Sequence, residues 1–248
     1  VEVYTSKDLV TWNGPEPVFE VPQDFWARQA VWAPEVHRYK GKYYLFVTFT
    51  SHDVMESQSK SPKPPPQYRR GTQILVSDSP SGPFEPFSNG PDTPADWMSL
   101  DGTLFVEDGV PYMVFCHEWA QTHDGTMELV RLKDDLSGTV GEPQTLFTAT
   151  EAPWVWNMQE SLPNGKYDGY VTDGPWFYGG SRFHFARFLA DQEGSFIALI
   201  SDRSSLLNNP RPDRMADGRH FPNRKLLPAL RLPVRITLTF SNDQSPKK

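Results

Sequence analysis

A chain of 248 residues is long enough for one large domain or two small ones. Its net charge of −7 argues against nucleic acid as a partner. Its single cysteine, Cys116, excludes an internal disulfide framework, and no apolar run approaches the roughly 18 residues of a membrane span. No secretory leader is legible, so a soluble protein, cytoplasmic or secreted, is expected.

The first element runs from Val3 through the polar turn Ser6-Lys-Asp-Leu-Val-Thr-Trp12 to a short return ending at Val18-Phe19. Next comes Trp32-Ala-Pro-Glu35, a carboxylate at the head of a segment that alternates into a strand and continues through Gly41-Lys-Tyr-Tyr-Leu-Phe46. Residues 51–71 read as a loop, because the prolines of Ser57–Pro66 cannot donate to a ladder. It is a solvated loop or one overhanging a cleft. Ile74–Phe84 repeats the strand, Ser/Asp/Gly turn and return of the first element. Ser99-Leu-Asp101-Gly-Thr-Leu-Phe105 then opens a second carboxylate-headed strand, in a run that extends through Glu107-Asp-Gly109 to Phe115. Leu129–Gly138 leads to Leu146-Phe147 in the pattern of the first and third elements. Val171-Thr-Asp173-Gly-Pro-Trp-Phe-Tyr178 opens a third such strand.

The carboxylate-headed phrases recur at about 70 residues, and the strand-turn-return phrases fall between them, a spacing that predicts an all-β propeller. The expected order is the end of one blade, two blades and the start of another. The chain changes character after Tyr178. All nine tyrosines and all eight tryptophans lie at or before it. The 25 acidic and 12 basic residues up to Tyr178 give −13, whereas the 6 acidic and 12 basic residues after it give +6. Residues 1–178 are therefore expected to carry the blades. Residues 179–248 are expected to be a divergent region: degenerate blades or another module, a disordered extension, or sequence read out of frame.

If each leading acid opens the innermost strand of a blade, the acids converge on one axis, and converging carboxylates are what glycoside hydrolysis uses. Asp101, beside Gly102, is a pocket-floor acid or a turn cap. Asp173 is an acid able to protonate a leaving oxygen if apolar walls such as Trp154 and Trp176 raise its pKa, or again a turn residue. Glu151 is a second candidate acid or a solvated loop residue. Glu35 is expected on the pocket wall or in a structural role. Trp32, Trp97, Trp119 and Trp154 are candidate sugar platforms, with packing between blades as the competing role. The six histidines show no metal-ligand spacing. There is no phosphate-cradling glycine loop and no Gly-x-Ser-x-Gly elbow.

These phrases resemble glycoside hydrolase family 43 over about residues 1–178. Trp32–Phe46 is similar to that family's second-blade opening, Leu100–Gly109 to its third, Thr172–Pro175 to its fourth, and Ser6–Trp12 to the end of its first. The resemblance implies a five-bladed β-propeller that hydrolyses arabinofuranosyl or xylosyl linkages of plant-derived oligo- or polysaccharides with inversion. It implies a pKa-tuning, orienting role for Asp101 and the general-acid position for Asp173, where most of the family has Glu, with Glu151 as the alternative acid. The family's general base stands in an Arg-Asp-Pro-type phrase. No Asp-Pro occurs in this sequence, so the base is expected to be absent, the propeller incomplete and activity impaired. The family's late Gly-His phrase, often near a bound cation, is not found; Gly179-Gly180-Ser181 has Ser in its place. No cofactor or metal is therefore expected, and structural calcium is not supported. The alternative function is a non-catalytic carbohydrate-binding propeller. A protein-interaction propeller would show about 40–45-residue blades with Trp-Asp signatures, which are absent.

Overall fold

Two-residue turns set the frame of the molecule. Lys40-Gly41 and Asp108-Gly109 all have positive φ, between 45° and 86°. That is the geometry whose twist matches a tight antiparallel hairpin. In this computed structural model, which describes residues 1–8, 10–56, 67–152, 155–158, 167–175, 177–180 and 183–186, these turns join β3 (Ala30–Tyr39) to β4 (Lys42–Val54) and β7 (Ser99–Glu107) to β8 (Val110–His117). Adding β5 (Tyr68–Ser77) and β6 (Glu85–Pro86) gives a four-stranded antiparallel meander in the order β3-β4-β5-β6. Adding β9 (Thr126–Leu132) and β10 (Thr139–Thr148) gives a second, β7-β8-β9-β10. Before them, β1 (Glu2–Ser6) pairs with β2 (Trp12–Pro17); after them, β11 (Phe177–Gly180) pairs with β12 (Phe183–Ala186). One short helix, α1 (Trp119–Thr122), follows β8. The fold is thus all-β, with two whole propeller blades flanked by the end of one blade and the opening of another. Among the described residues no helix is long and apolar enough to cross a membrane.

The apolar faces pack in alternation. Phe19, Phe25, Leu45, Val47 and Phe49 form a core between the β1–β2 return and the first meander. Phe46, Ile74, Met113, Phe115 and Leu132 form one between the two meanders. Leu100, Phe105, Val114 and Met127 form a third, against which Phe177 of β11 packs. Strands β4, β5, β7, β8 and β9 divide their side chains between two neighbouring cores, as a stack of blades requires.

Each innermost strand carries a bulge at the same place. The register of β3 on β4 slips between Trp32 and Glu35, and that of β7 on β8 between Leu100 and Thr103. The residue opening each bulge has positive φ: Ala33 at 43° and Asp101 at 56°. The structural counterpart of Asp101 is therefore Ala33, and Glu35 corresponds to Thr103. The carboxylates of the first two phrases are therefore offset by two positions along the strand: Asp101 opens its bulge, whereas Glu35 follows its own.

In β7 the bulge brings the backbone against the first meander. The amides of Asp101 and Gly102 donate to Thr48 Oγ1 at 2.8 Å and Thr72 Oγ1 at 2.9 Å. Only glycine fits at 102: a Cβ there would lie 2.7 Å from Thr72 Cγ2 and 2.8 Å from Met113 Sδ. The last 62 residues of the chain, and with them the divergent region apart from β11 and β12, lie outside the described residues, as does the proline-rich segment 57–66.

The Gly102→Ala variant should unfold more easily, by about 1–3 kcal/mol in a denaturant titration, the usual cost of overpacking. Gly41→Ala meets no atom within 4 Å and loses only its favoured positive φ, so it should cost less, about 1 kcal/mol.

Candidate active site

The β7 bulge turns Asp101 into a pocket of about 310 Å³ lined by Trp32, Leu100, Glu118, Trp119 and Asp173. A residue in the left-handed region of the backbone is enriched in Asp and Asn, whose short polar side chains tolerate it. Ala33, at the matching place in β3, lines the same pocket. Asp173 arrives from the other side on a segment tied to the second meander. Tyr170 pairs with Asp124 in a parallel bridge, the Gly125 amide donates to the Tyr170 carbonyl at 2.8 Å, and the Thr172 hydroxyl donates to the Thr126 carbonyl at 3.0 Å. The Gly174 amide then donates to Asp101 Oδ2 at 3.3 Å.

Asp101 and Asp173 are within hydrogen-bonding reach of each other. Burial first, then the Asp173 carboxyl beside it, push the Asp101 carboxyl up from 3.8 to about 8; the Gly174 amide opposes this and the Glu118 charge adds to it. Two carboxyls this close to one another cannot both ionise cheaply, so Asp101 keeps its proton at neutral pH.

Glu118 is the third carboxylate of the pocket, and the sequence reading did not single it out. It caps the end of β8, where its amide donates to the Met98 carbonyl at 2.8 Å. Its Oε2 accepts from Arg70 Nη1 in a close ion pair whose side chains are only 8% (Arg70) and 14% (Glu118) exposed. Arg70 in turn bridges Met98 through the backbone, donates from Nε to Thr50 Oγ1 at 3.1 Å, and lies 4.0 Å from the centroid of the Trp32 ring. Burial raises the Glu118 carboxyl, and Arg70 offsets only part of that. The pair was hidden in the sequence because its members lie 48 positions apart. The available signal was a charged residue placed between the apolar run of β8 and Trp119.

The other predicted site residues are distributed as follows. Trp32 and Trp119 are on the pocket wall, Trp32 with 41% of its surface exposed. Glu35 stands elsewhere on β3, 3.3 Å from His37 Nε2. Burial acts to raise its carboxyl, but the His37 contact and the Thr103 hydroxyl outweigh it and hold the carboxyl below the usual range. Trp97 stacks on His117 with ring centroids 4.1 Å apart and packs against the core between the meanders. Glu151 is exposed in the turn Ala149–Glu151, where it completes a capping box by accepting from the Thr148 amide at 3.1 Å. Trp154, Trp176 and Ser181 lie outside the described residues. Among the described residues no group of three His, Cys, Asp or Glu side chains is arranged to hold a metal ion.

Asp101 holds its proton more tightly folded than unfolded. Its contribution to stability is therefore full at acid pH and lost as pH rises from about 4 to about 8. The Asp101→Asn variant keeps the left-handed backbone and has no charge to bury. It should gain stability relative to the wild type with rising pH across that window, by at least about 1 kcal/mol at its upper end. Melting temperatures measured at pH 4.5 and pH 8 check this; a constant difference would refute the raised Asp101 carboxyl.

Residues 1–180 match the family model described as glycosyl hydrolases family 43. Among solved structures, an endo-arabinase from Bacteroides thetaiotaomicron VPI-5482 aligns with a TM-score of 0.64 at 40% identity, covering 79% of this chain and 64% of that one. A thermostable family-43 glycoside hydrolase aligns with a TM-score of 0.56 at 19% identity, covering 77% and 56%, a likeness of fold alone. The extracellular exo-alpha-(1->5)-L-arabinofuranosidase ArbA of Cellvibrio japonicus (strain Ueda107) is 23% identical over 159 residues, which are 58% of this chain and 40% of that protein. Xylosidase/arabinosidase 43A of Humicola insolens is 31% identical over 103 residues, 41% of this chain and 26% of its own length. The chain thus spans well under half the length of these curated relatives.

Proposed function

Because this chain belongs to glycosyl hydrolase family 43, we propose that its pocket handles arabinofuranosyl or xylosyl linkages of plant-derived glycans, with the Asp101–Asp173 pair as the proton source for the leaving oxygen. The observation that carries this reading is the contact between the two carboxyls at the floor of a pocket walled by Trp32 and Trp119. Their separation decides the roles. An inverting acid and base stand about 6.5–9.5 Å apart to admit a water, and a retaining pair about 5–5.5 Å apart. Carboxyls within hydrogen-bonding distance fit neither arrangement, so the pair does not supply both the acid and the base. It fits one acid and one tuner: Asp173 in the acid position, and Asp101 holding the proton in place and orienting its neighbour.

The tryptophan faces supply apolar area that matches the C–H face of a furanose or pyranose ring. Arabinose is named for three of the similar proteins, an endo-arabinase at 40% identity, an exo-acting arabinofuranosidase and a xylosidase/arabinosidase, the last of which also names xylose. Glu151, engaged in capping its own turn, is the weaker candidate for the acid.

Water activation needs a carboxylate on the far side of the sugar. The described acids of the pocket are Asp101, Asp173 and Glu118, and the sequence has no Asp-Pro phrase. The 248 residues alone are therefore expected to bind substrate and turn it over slowly or not at all. Assays with aryl α-L-arabinofuranosides and β-D-xylosides measure this. Any turnover that is seen should fall at least 100-fold in both Asp101→Asn and Asp173→Asn, the scale of a lost general acid. Turnover indifferent to both substitutions would refute the assignment, as would an absence of affinity for either class of oligosaccharide.

A further inference from the structure

The Arg70–Glu118 pair is poorly explained as a stabilising device. A buried ion pair roughly breaks even against an apolar pair of the same volume, because desolvation cancels most of the attraction. This pair is also placed where its negative member raises the cost of charge on Asp101. Its geometry has a further use. Arg70 holds Glu118 at one oxygen, Oε2, while Oε1 accepts no hydrogen bond from the described residues and the side chain faces the pocket. The same guanidinium stacks at 4.0 Å on Trp32, the aromatic wall of that pocket. Thr50 Oγ1, itself on a buried residue, fixes the guanidinium from behind. Carboxylate, guanidinium and indole are thereby locked as one unit that presents an apolar face and a charged acceptor side by side.

We propose that Glu118 is a substrate-positioning residue: Oε1 accepts a hydroxyl of the sugar ring lying on Trp32, while Arg70 holds the carboxylate and the indole in fixed relation. The inference rests on the glycan-handling reading of the pocket. A hydroxyl-to-carboxylate bond is charge-assisted and stronger than one between neutral groups. A rigid acceptor loses little freedom when the sugar arrives, which is how preorganised sites gain affinity. Asp101, which keeps its proton and accepts from the Gly174 amide, is a poorer acceptor than a carboxylate paired with arginine.

Titration calorimetry of the full chain with α-1,5-arabinotriose and β-1,4-xylotriose tests this, using the wild type, Glu118→Gln and Glu118→Asp. Glutamine still accepts from Arg70 but turns an amide N–H₂ toward the pocket. Glu118→Gln should weaken binding at least tenfold. A series of ligands each lacking one hydroxyl gives the readout that a merely structural role would not move. One member should lose about tenfold against the wild type and nothing further against Glu118→Gln. If glutamine does not fold, Glu118→Asp, which keeps the charge one methylene short, is read by the same criteria. Wild-type binding with the variant within twofold of it overturns the role of Glu118 and leaves the glycan reading standing. A drop in affinity with the deoxy series unchanged overturns it too, as a structural effect. A wild type that binds neither trisaccharide overturns the glycan reading and this inference together.

Discussion

Two threonine hydroxyls hold the site together. A bulge takes two residues of β7 out of register and leaves their amides without ladder partners, and a buried unpaired amide costs as much as a lost hydrogen bond. Thr48 and Thr72, both fully buried in the neighbouring meander, accept from these amides. The strained backbone of Asp101 is therefore fixed by the adjacent blade rather than by its own. That is why Gly102 must be small, why β7 sits against β4 and β5, and why the Asp101 side chain is aimed out of the sheet into the pocket. Blade packing and site geometry are one set of contacts here.

Charge balance follows from that placement. Three carboxylates line one pocket, and the buried Arg70 guanidinium is committed to one of them, Glu118, by a direct ion pair. At an effective interior dielectric, a positive charge in contact with Asp173 would favour full ionisation and strip the proton from the Asp101–Asp173 pair. By engaging Glu118 and Trp32 instead, Arg70 leaves the Asp101 carboxyl to burial and the Asp173 carboxyl, the largest causes that hold its proton to about pH 8. The same pocket thus contains a protonated carboxyl and one paired with a cation, separated by which one the arginine touches.

How much of this was legible in sequence depended on the range of the interaction. The alternating strands were, although the turns Lys40-Gly41 and Asp108-Gly109 divide each of the first two phrases into a hairpin where a single strand was expected. Asp101, which heads a strand beside a glycine, does line the pocket. The equivalence of Glu35 with Asp101 was a misreading of register. Both acids follow a short lead-in, but Ala33 opens the bulge at the matching position and Glu35 lies beside His37; where a bulge falls within a phrase cannot be read from composition. Glu118 was missed because its meaning comes from Arg70 and Trp32, on other strands of another blade. Trp97, a plausible platform by type, is stacked on His117, since nothing in its own neighbourhood distinguishes a wall from a core.

The short side chain at position 173 has a physical reason in the approach of the two segments. The Gly174 amide reaches Asp101 Oδ2 at 3.3 Å, and Gly174, at φ 44°, would place even a Cβ at 4.0 Å from that oxygen. With the backbone this close, an aspartate spans the gap to Asp101. A glutamate would carry its carboxyl one methylene further, past Asp101 or back on itself into a less favourable rotamer. The Asp173 found where the resemblance has Glu is then the residue suited to a tight approach of these strands. The close approach of the two segments, rather than side-chain length, is the feature this part of the pocket is built around.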